Sequence, residues 1–133
     1  MTMGARILVV DDNPHDRSLV AFLAGAFGHS VTVTSSGAEA VDTASRERFD
    51  LVLVDLLMPE MDGYDTMAAL RKVTALANVP IVALTILSGV EQRREALTRG
   101  FDGHIPKPIF PEGFESQLAA FLSGAIGERG RPL

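Results

Sequence analysis

The sequence predicts a doubly wound α/β protein, with five helices around one five-stranded parallel sheet. Three observations carry this. The runs Ile7-Leu8-Val9-Val10, Leu51-Val52-Leu53-Val54 and Pro80-Ile81-Val82-Ala83-Leu84 are continuous in apolar residues, as strands buried on both faces require. Between such runs lie segments with apolar residues at helical spacing. The two kinds of segment alternate along the chain, which builds right-handed β-α-β units and hence a parallel sheet.

Taken in order, the first strand ends in Asp11-Asp12. Asn13 then offers a helix cap with Pro14 at the first helical position. Leu19, Leu23 and Phe27 recur at helical spacing, and Gly28 is the stop signal. Val31-Thr32-Val33 alternates and reads as an edge strand. Ser36 caps a second helix carrying Ala40, Val41 and Ala44. The third strand ends in Asp55, where the pattern breaks toward Pro59 and the turn pair Asp62-Gly63. The third helix starts after Gly63 and carries Met67, Leu70 and Val73. The fourth strand ends in Thr85. A polar fourth helix, Val90 to Arg99, stops at Gly100 and is thinly apolar, so it is expected to be the least firmly packed. Gly103-His104-Ile105-Pro106 is a short fifth strand closed by Lys107-Pro108. The fifth helix carries Phe114, Leu118, Phe121, Leu122 and Ala125. Residues 1–126 are expected to form one domain, and 127–133 a disordered tail.

Composition narrows the function. A length of 133 residues favours a single domain with its own core. The absence of cysteine excludes disulfides and thiolate metal sites. A formal net charge of −5 argues against a nucleic-acid surface. No apolar run is long enough to span a membrane, and the first residues lack a signal-peptide layout, so a cytoplasmic location is expected.

The chemistry lies at the strand ends. Right-handed crossovers bring the carboxyl ends of strands one, three, four and five to one sheet edge, carrying Asp11-Asp12, Asp55, Thr85 and Lys107. Ligands bind at that edge in open α/β sheets. Three crowded carboxylates repel one another, and a hard divalent cation such as Mg²⁺ relieves the repulsion. A lysine supplies a point charge for phosphate and a threonine a hydroxyl donor. With the metal charge present, an aspartate oxygen can attack a phosphoryl group. Asp16, Glu60 and Asp62 read as helix-start and turn charges, and His15 and His29 as surface histidines.

Asp11-Asp12, Asp55 followed by Met58-Pro59 and Asp62-Gly63, Thr85, and Lys107-Pro108 together resemble the response-regulator receiver domains of two-component signalling, over residues 5–125. The resemblance implies a flavodoxin-like sheet in the order 2-1-3-4-5. It implies that Asp55 is the phospho-acceptor. Mg²⁺ would be bound by Asp12, Asp55 and the backbone carbonyl of Leu57, with Asp11 acting through water. Thr85 would grip a phosphoryl oxygen, Lys107 would pair with the phosphoryl group, and the Lys107–Pro108 peptide would be cis. It further implies a stand-alone switch rather than an enzyme with a separate substrate. Such a switch takes phosphate from a histidine kinase or phosphotransfer protein and acts through contacts with a downstream target. The contact surface expected is helix four, strand five and helix five, where Arg93, Arg94 and Asp102 could support a weak dimer.

Two positions depart from the family. His104 stands where the family carries an aromatic switch residue, and the bulky Ile86 follows Thr85, where it could fill the space that ring uses. Leu57 and Leu87, at the positions flanking the phosphorylation pocket, are apolar and would not orient an attacking water, so a long-lived phospho-form is expected. The enzyme alternative is a Mg²⁺-dependent phosphohydrolase with an aspartate nucleophile. It usually places a second acid two residues after the nucleophile, where this chain has Leu57. A flavin or nucleotide site would want a Gly-rich loop after the first strand, where Asp11-Asp12 would repel phosphate.

Overall fold

Five parallel strands run in the order β2-β1-β3-β4-β5 in the computed structural model of the chain, which describes residues 4–56, 62–86 and 90–123. The strands are β1 (Arg6–Val10), β2 (Ser30–Thr34), β3 (Leu51–Asp55), β4 (Ile81–Thr85) and β5 (Gly103–Pro106). The helices are α1 (Pro14–Ala26), α2 (Gly37–Arg46), α3 (Gly63–Arg71), α4 (Val90–Thr98) and α5 (Pro111–Leu122). This is the flavodoxin-like arrangement, with β2 at an edge and β1, β3 and β4 inside.

The unbroken apolar runs follow from this layering. Successive side chains on a strand point to opposite faces, and here both faces are covered. Leu8, Val10, Val52, Val54, Ile81 and Ala83 meet α2 and α3 on one face, with Phe101 and Ala96. Ile7, Val9, Leu51, Leu53, Val82 and Leu84 meet α1 and α5 on the other.

Helix starts are set by local chemistry. The Asn13 carboxamide oxygen accepts from the amides of His15 and Asp16, and the Ser36 hydroxyl accepts from the amide of Glu39. Gly28 takes a φ of +94° just after α1, a conformation costly for residues with a Cβ. Helix α3 begins at Gly63 itself rather than after it, because the Asp62 carboxylate caps it by accepting from Asp65 N–H at 2.9 Å. It ends at Arg71, so Val73 lies beyond the helix yet packs against the same core. A 3₁₀ turn over Thr74–Leu76, which buries Leu76, was not expected from the sequence.

Helix α4 matches the thin packing expected, since Ala96 is the single buried side chain among its described residues. Just beyond its end, the Arg99 guanidinium lies 3.7 Å from the centroid of the Tyr64 ring, which packs against Phe101 at a steep interplanar angle of 66°. Helix α5 starts irregularly, with Glu112 and Gly113 outside helical geometry. Ala125, the expected domain boundary at 126 and the expected tail lie outside the described residues. Among the described residues, no helix is long and apolar enough to cross a membrane.

Three expectations are corrected. Asp102 is buried and accepts from the Arg71 guanidinium at 2.8 Å and from the Ile81 amide at 2.9 Å, so it is committed inside the fold and unavailable to a dimer. His29 is half-buried and its Nδ1 accepts from the Ala5 amide at 3.0 Å, tying the chain ahead of β1 to the loop before β2. Ile86 is 63% exposed, so its side chain faces solvent and does not fill interior space.

Candidate functional site

The carboxyl ends of the strands meet as the connections require. Asp11 follows β1 directly, Asp55 is the last residue of β3, Thr85 is the last residue of β4, and Lys107 follows β5. In the sheet register, Val10 sits opposite Val54, Asp55 opposite Leu84, and Thr85 opposite Pro106. Ligand oxygens of Asp11, Asp12 and Asp55 all lie within 4.8 Å of one another. Asp11 and Asp55 are buried, and Asp12 is half-exposed.

Asp11 is held on all sides. Its amide donates to Thr34 O, its Oδ1 accepts from Asn13 N–H at 2.9 Å, and its Oδ2 accepts from Lys107 Nζ at 2.8 Å. The Arg17 guanidinium donates to its carbonyl at 3.0 Å. Both carboxylate oxygens of Asp11 are therefore engaged within the protein.

Lys107 crosses the pocket from the loop after β5. Its amide donates to Thr85 O, and its Nζ stands 2.8 Å from Asp11, 2.8 Å from Asp16 and 3.7 Å from Asp55. Burial of the ammonium works against its charge. The hydrogen bonds it donates to Asp11 and Asp16, and then the charges of Asp11 and Asp55, outweigh that and raise its pKa above the ordinary lysine value. The Lys107–Pro108 peptide is cis, as the family resemblance implies.

The acids, Thr85 and Lys107 thus gather at one edge, as the strand ends predict. His104 is half-buried on β5, opposite Ala83. Leu57 and Leu87 lie outside the described residues, as do Met58, Pro59 and Glu60. Sequence reasoning missed the part played by Asp16. It does sit in the first turn of α1, but its carboxylate also reaches Lys107. The turn of α1 that follows Asn13 was legible, whereas a contact across 91 positions was not.

Fold and site define an α/β protein with an acidic, lysine-bridged pocket at the carboxyl edge of its sheet. The sequence model of the response regulator receiver domain matches residues 7–119, and the chain belongs to that family. The chain is 41% identical over 117 residues to the sensor protein GacS of Pseudomonas syringae pv. syringae, covering 86% of this chain and 12% of that one. The structure superposes on the chemotaxis response regulator CheY4 of Vibrio cholerae with a TM-score of 0.83 at 32% identity, covering 90% of this chain and 99% of that one. It also matches the receiver domain of a sensor histidine kinase from Pseudomonas aeruginosa PAO1, described with a magnesium ion coordinated in its active-site cleft. There the TM-score is 0.81 at 30% identity, covering 90% of this chain and 98% of that one. Many of the curated relatives are longer proteins: the chain spans 48%, 13% and 12% of three of them, though 80% of another. Receiver domains are phospho-acceptor switches, and these matches do not favour the phosphohydrolase alternative.

Proposed function

We propose that this chain accepts a phosphoryl group on Asp55 from a phosphohistidine of a histidine kinase or phosphotransfer protein. The observation that carries the reading is the place of Asp55: a buried carboxylate at the end of β3, grouped with Asp11 and Asp12, with the Lys107 ammonium 3.7 Å away. An Asp55 oxygen forms the new bond to phosphorus as the phosphorus–nitrogen bond breaks, and the leaving imidazole takes a proton. Lys107 stabilises charge on the phosphoryl oxygens, and the Thr85 hydroxyl donates a hydrogen bond to one of them.

The donor set fits Mg²⁺, since the converging groups are all carboxylate oxygens and the half-exposed Asp12 leaves room for water. Asp12, Asp55 and the Leu57 carbonyl would hold the ion, with Asp11 acting through water. Bound there, Mg²⁺ supplies positive charge that offsets the crowded carboxylates and the incoming phosphate. Output passes to a downstream protein through the surface of α4, β5 and α5, where α4 is thinly anchored. The switch works in the cytoplasm, and its chemistry is confined to gaining and losing its own phosphoryl group.

Incubation with Mg²⁺ and a small acyl phosphate tests the reading. The intact mass of the wild type should rise by roughly 80 Da, a single acyl-phosphate adduct, and Asp55→Asn should abolish the rise. Persistent single labelling of the Asp55→Asn protein overturns the assignment.

A further inference from the structure

We infer that Asp16 is a positioning residue that anchors the Lys107 ammonium for the phosphoryl group on Asp55, an inference that rests on the function proposed above. A lysine ammonium is a mobile point charge on a four-carbon stem, and a single partner leaves it free to swing. Here it is pinned between two carboxylates, Asp11 Oδ2 and Asp16 Oδ2, each at 2.8 Å. These contacts use two of its three N–H groups. The third is left for the Asp55 side, where the carboxylate oxygen at 3.7 Å is beyond hydrogen-bond reach. An oxygen carried outward on Asp55 would close that gap.

The two anchors differ in kind. Asp11 belongs to the carboxylate group that can hold a cation, so its charge is shared between the ion and Lys107. Asp16 lies outside that group, and its contact with Lys107 makes no use of the cation ligands. It is also well placed to stay. It sits in the first turn of α1, where the helix dipole favours a carboxylate, and its amide is capped by Asn13 at 3.1 Å. Asp16 therefore fixes Lys107 whatever Asp11 and Asp55 are doing. Phosphoryl transfer depends on such placement, because a preset cation needs no reorganisation as charge develops.

The test compares Asp16→Ala and Asp16→Asn in the full chain at saturating Mg²⁺. One readout is the rate of phosphorylation by acetyl phosphate. A second is affinity for beryllofluoride, a phosphoryl mimic that undergoes no transfer, followed by ¹⁹F NMR. The Asn amide oxygen still accepts from Lys107, whereas Ala cannot. Asp16→Ala should lower both rate and beryllofluoride affinity by about tenfold, and Asp16→Asn should hold both within about threefold of wild type. Equal behaviour of the Ala and Asn variants, in either direction, means that only the charge of Asp16 matters and overturns the anchor. So does an Ala variant that matches wild type. Asp16→Ser, too short to reach the ammonium, repeats the comparison if the Ala protein does not fold. A wild type that takes no phosphoryl group on Asp55 sinks the proposed function itself. A wild type that is labelled beside an equally labelled Asp16→Ala sinks this inference alone.

Discussion

Arg71 and Asp102 meet at 2.8 Å across 31 positions of sequence, at the end of the sheet opposite the acidic pocket. The same Asp102 oxygen accepts the Ile81 amide that opens β4, while its own amide donates to Ile81 O. Arg71 spends its other nitrogen on the carbonyls of Leu76 and Val79. One buried carboxylate thus ties α3, the turn after it, and the starts of β4 and β5.

Asp102→Ala should be among the more damaging changes remote from the pocket. It strands the Ile81 amide and removes the charge partner of Arg71, for a loss of about 2–3 kcal/mol. The denaturant midpoint should fall with an unchanged slope, while Mg²⁺ binding persists in the folded fraction. A midpoint equal to wild type contradicts the tie.

Thr66 offers the opposite case. Its hydroxyl is fully buried in α3 and has no hydrogen-bond partner among the described residues. Valine has the same shape without the stranded oxygen, so Thr66→Val should raise stability by about 1 kcal/mol. Chemical denaturation of the two proteins measures it, and a destabilised Val variant would mean that the hydroxyl is satisfied in solution.

Alkaline pH should weaken the fold through two groups. Lys107 is raised above 10.5, burial being outweighed by Asp11, Asp16 and Asp55. Tyr64 is raised above 10.0, first by burial and then by the charge of Glu95. A raised folded pKa contributes stability that is complete below the unfolded value and is lost as pH rises through the folded one. Neither group should therefore alter stability between pH 6 and about 9, and both should erode it above about 10. The ¹³Cε shift of Lys107, followed by NMR, should titrate with a midpoint above that of an exposed lysine, and a midpoint below it refutes the ammonium's pairing.

Mg²⁺ should stabilise the protein by relieving repulsion among Asp11, Asp12 and Asp55. At a hundred times its dissociation constant the gain is about 2.7 kcal/mol. The thermal midpoint should rise with millimolar Mg²⁺ in wild type and far less in Asp12→Asn. Equal midpoints with and without the ion in wild type would count decisively against a metal site.

The strands and their acids were legible because each rests on local pattern. A continuous apolar run such as Leu51–Val54 announces a strand, and the first carboxylate after it announces the edge. Lys107 was legible for the same reason, as the residue closing β5. What escaped was contact between distant segments. The reach of Asp16 to Lys107 depends on how the start of α1 leans on the loop after β5, and the Arg71–Asp102 tie depends on where α3 ends. Nothing within a few residues of Asp102 distinguishes a buried acid from a surface one. Ile86 misled in the other direction, because bulk in the sequence suggested filling and the backbone turns it outward.

Gly63 carries no chemistry, yet it is bound to the pocket by space alone. A Cβ added there would stand 2.6 Å from the carbonyl oxygen of Asp55 and 2.5 Å from Leu56 Cα, both immovable backbone. In a saturation-mutagenesis map scored by signalling, every substitution at 63 would register as harshly as those at Asp55. The two positions would look like equal members of one functional motif. A parallel map scored by protein abundance would part them, with Gly63 scarce in the cell and Asp55→Asn plentiful but silent.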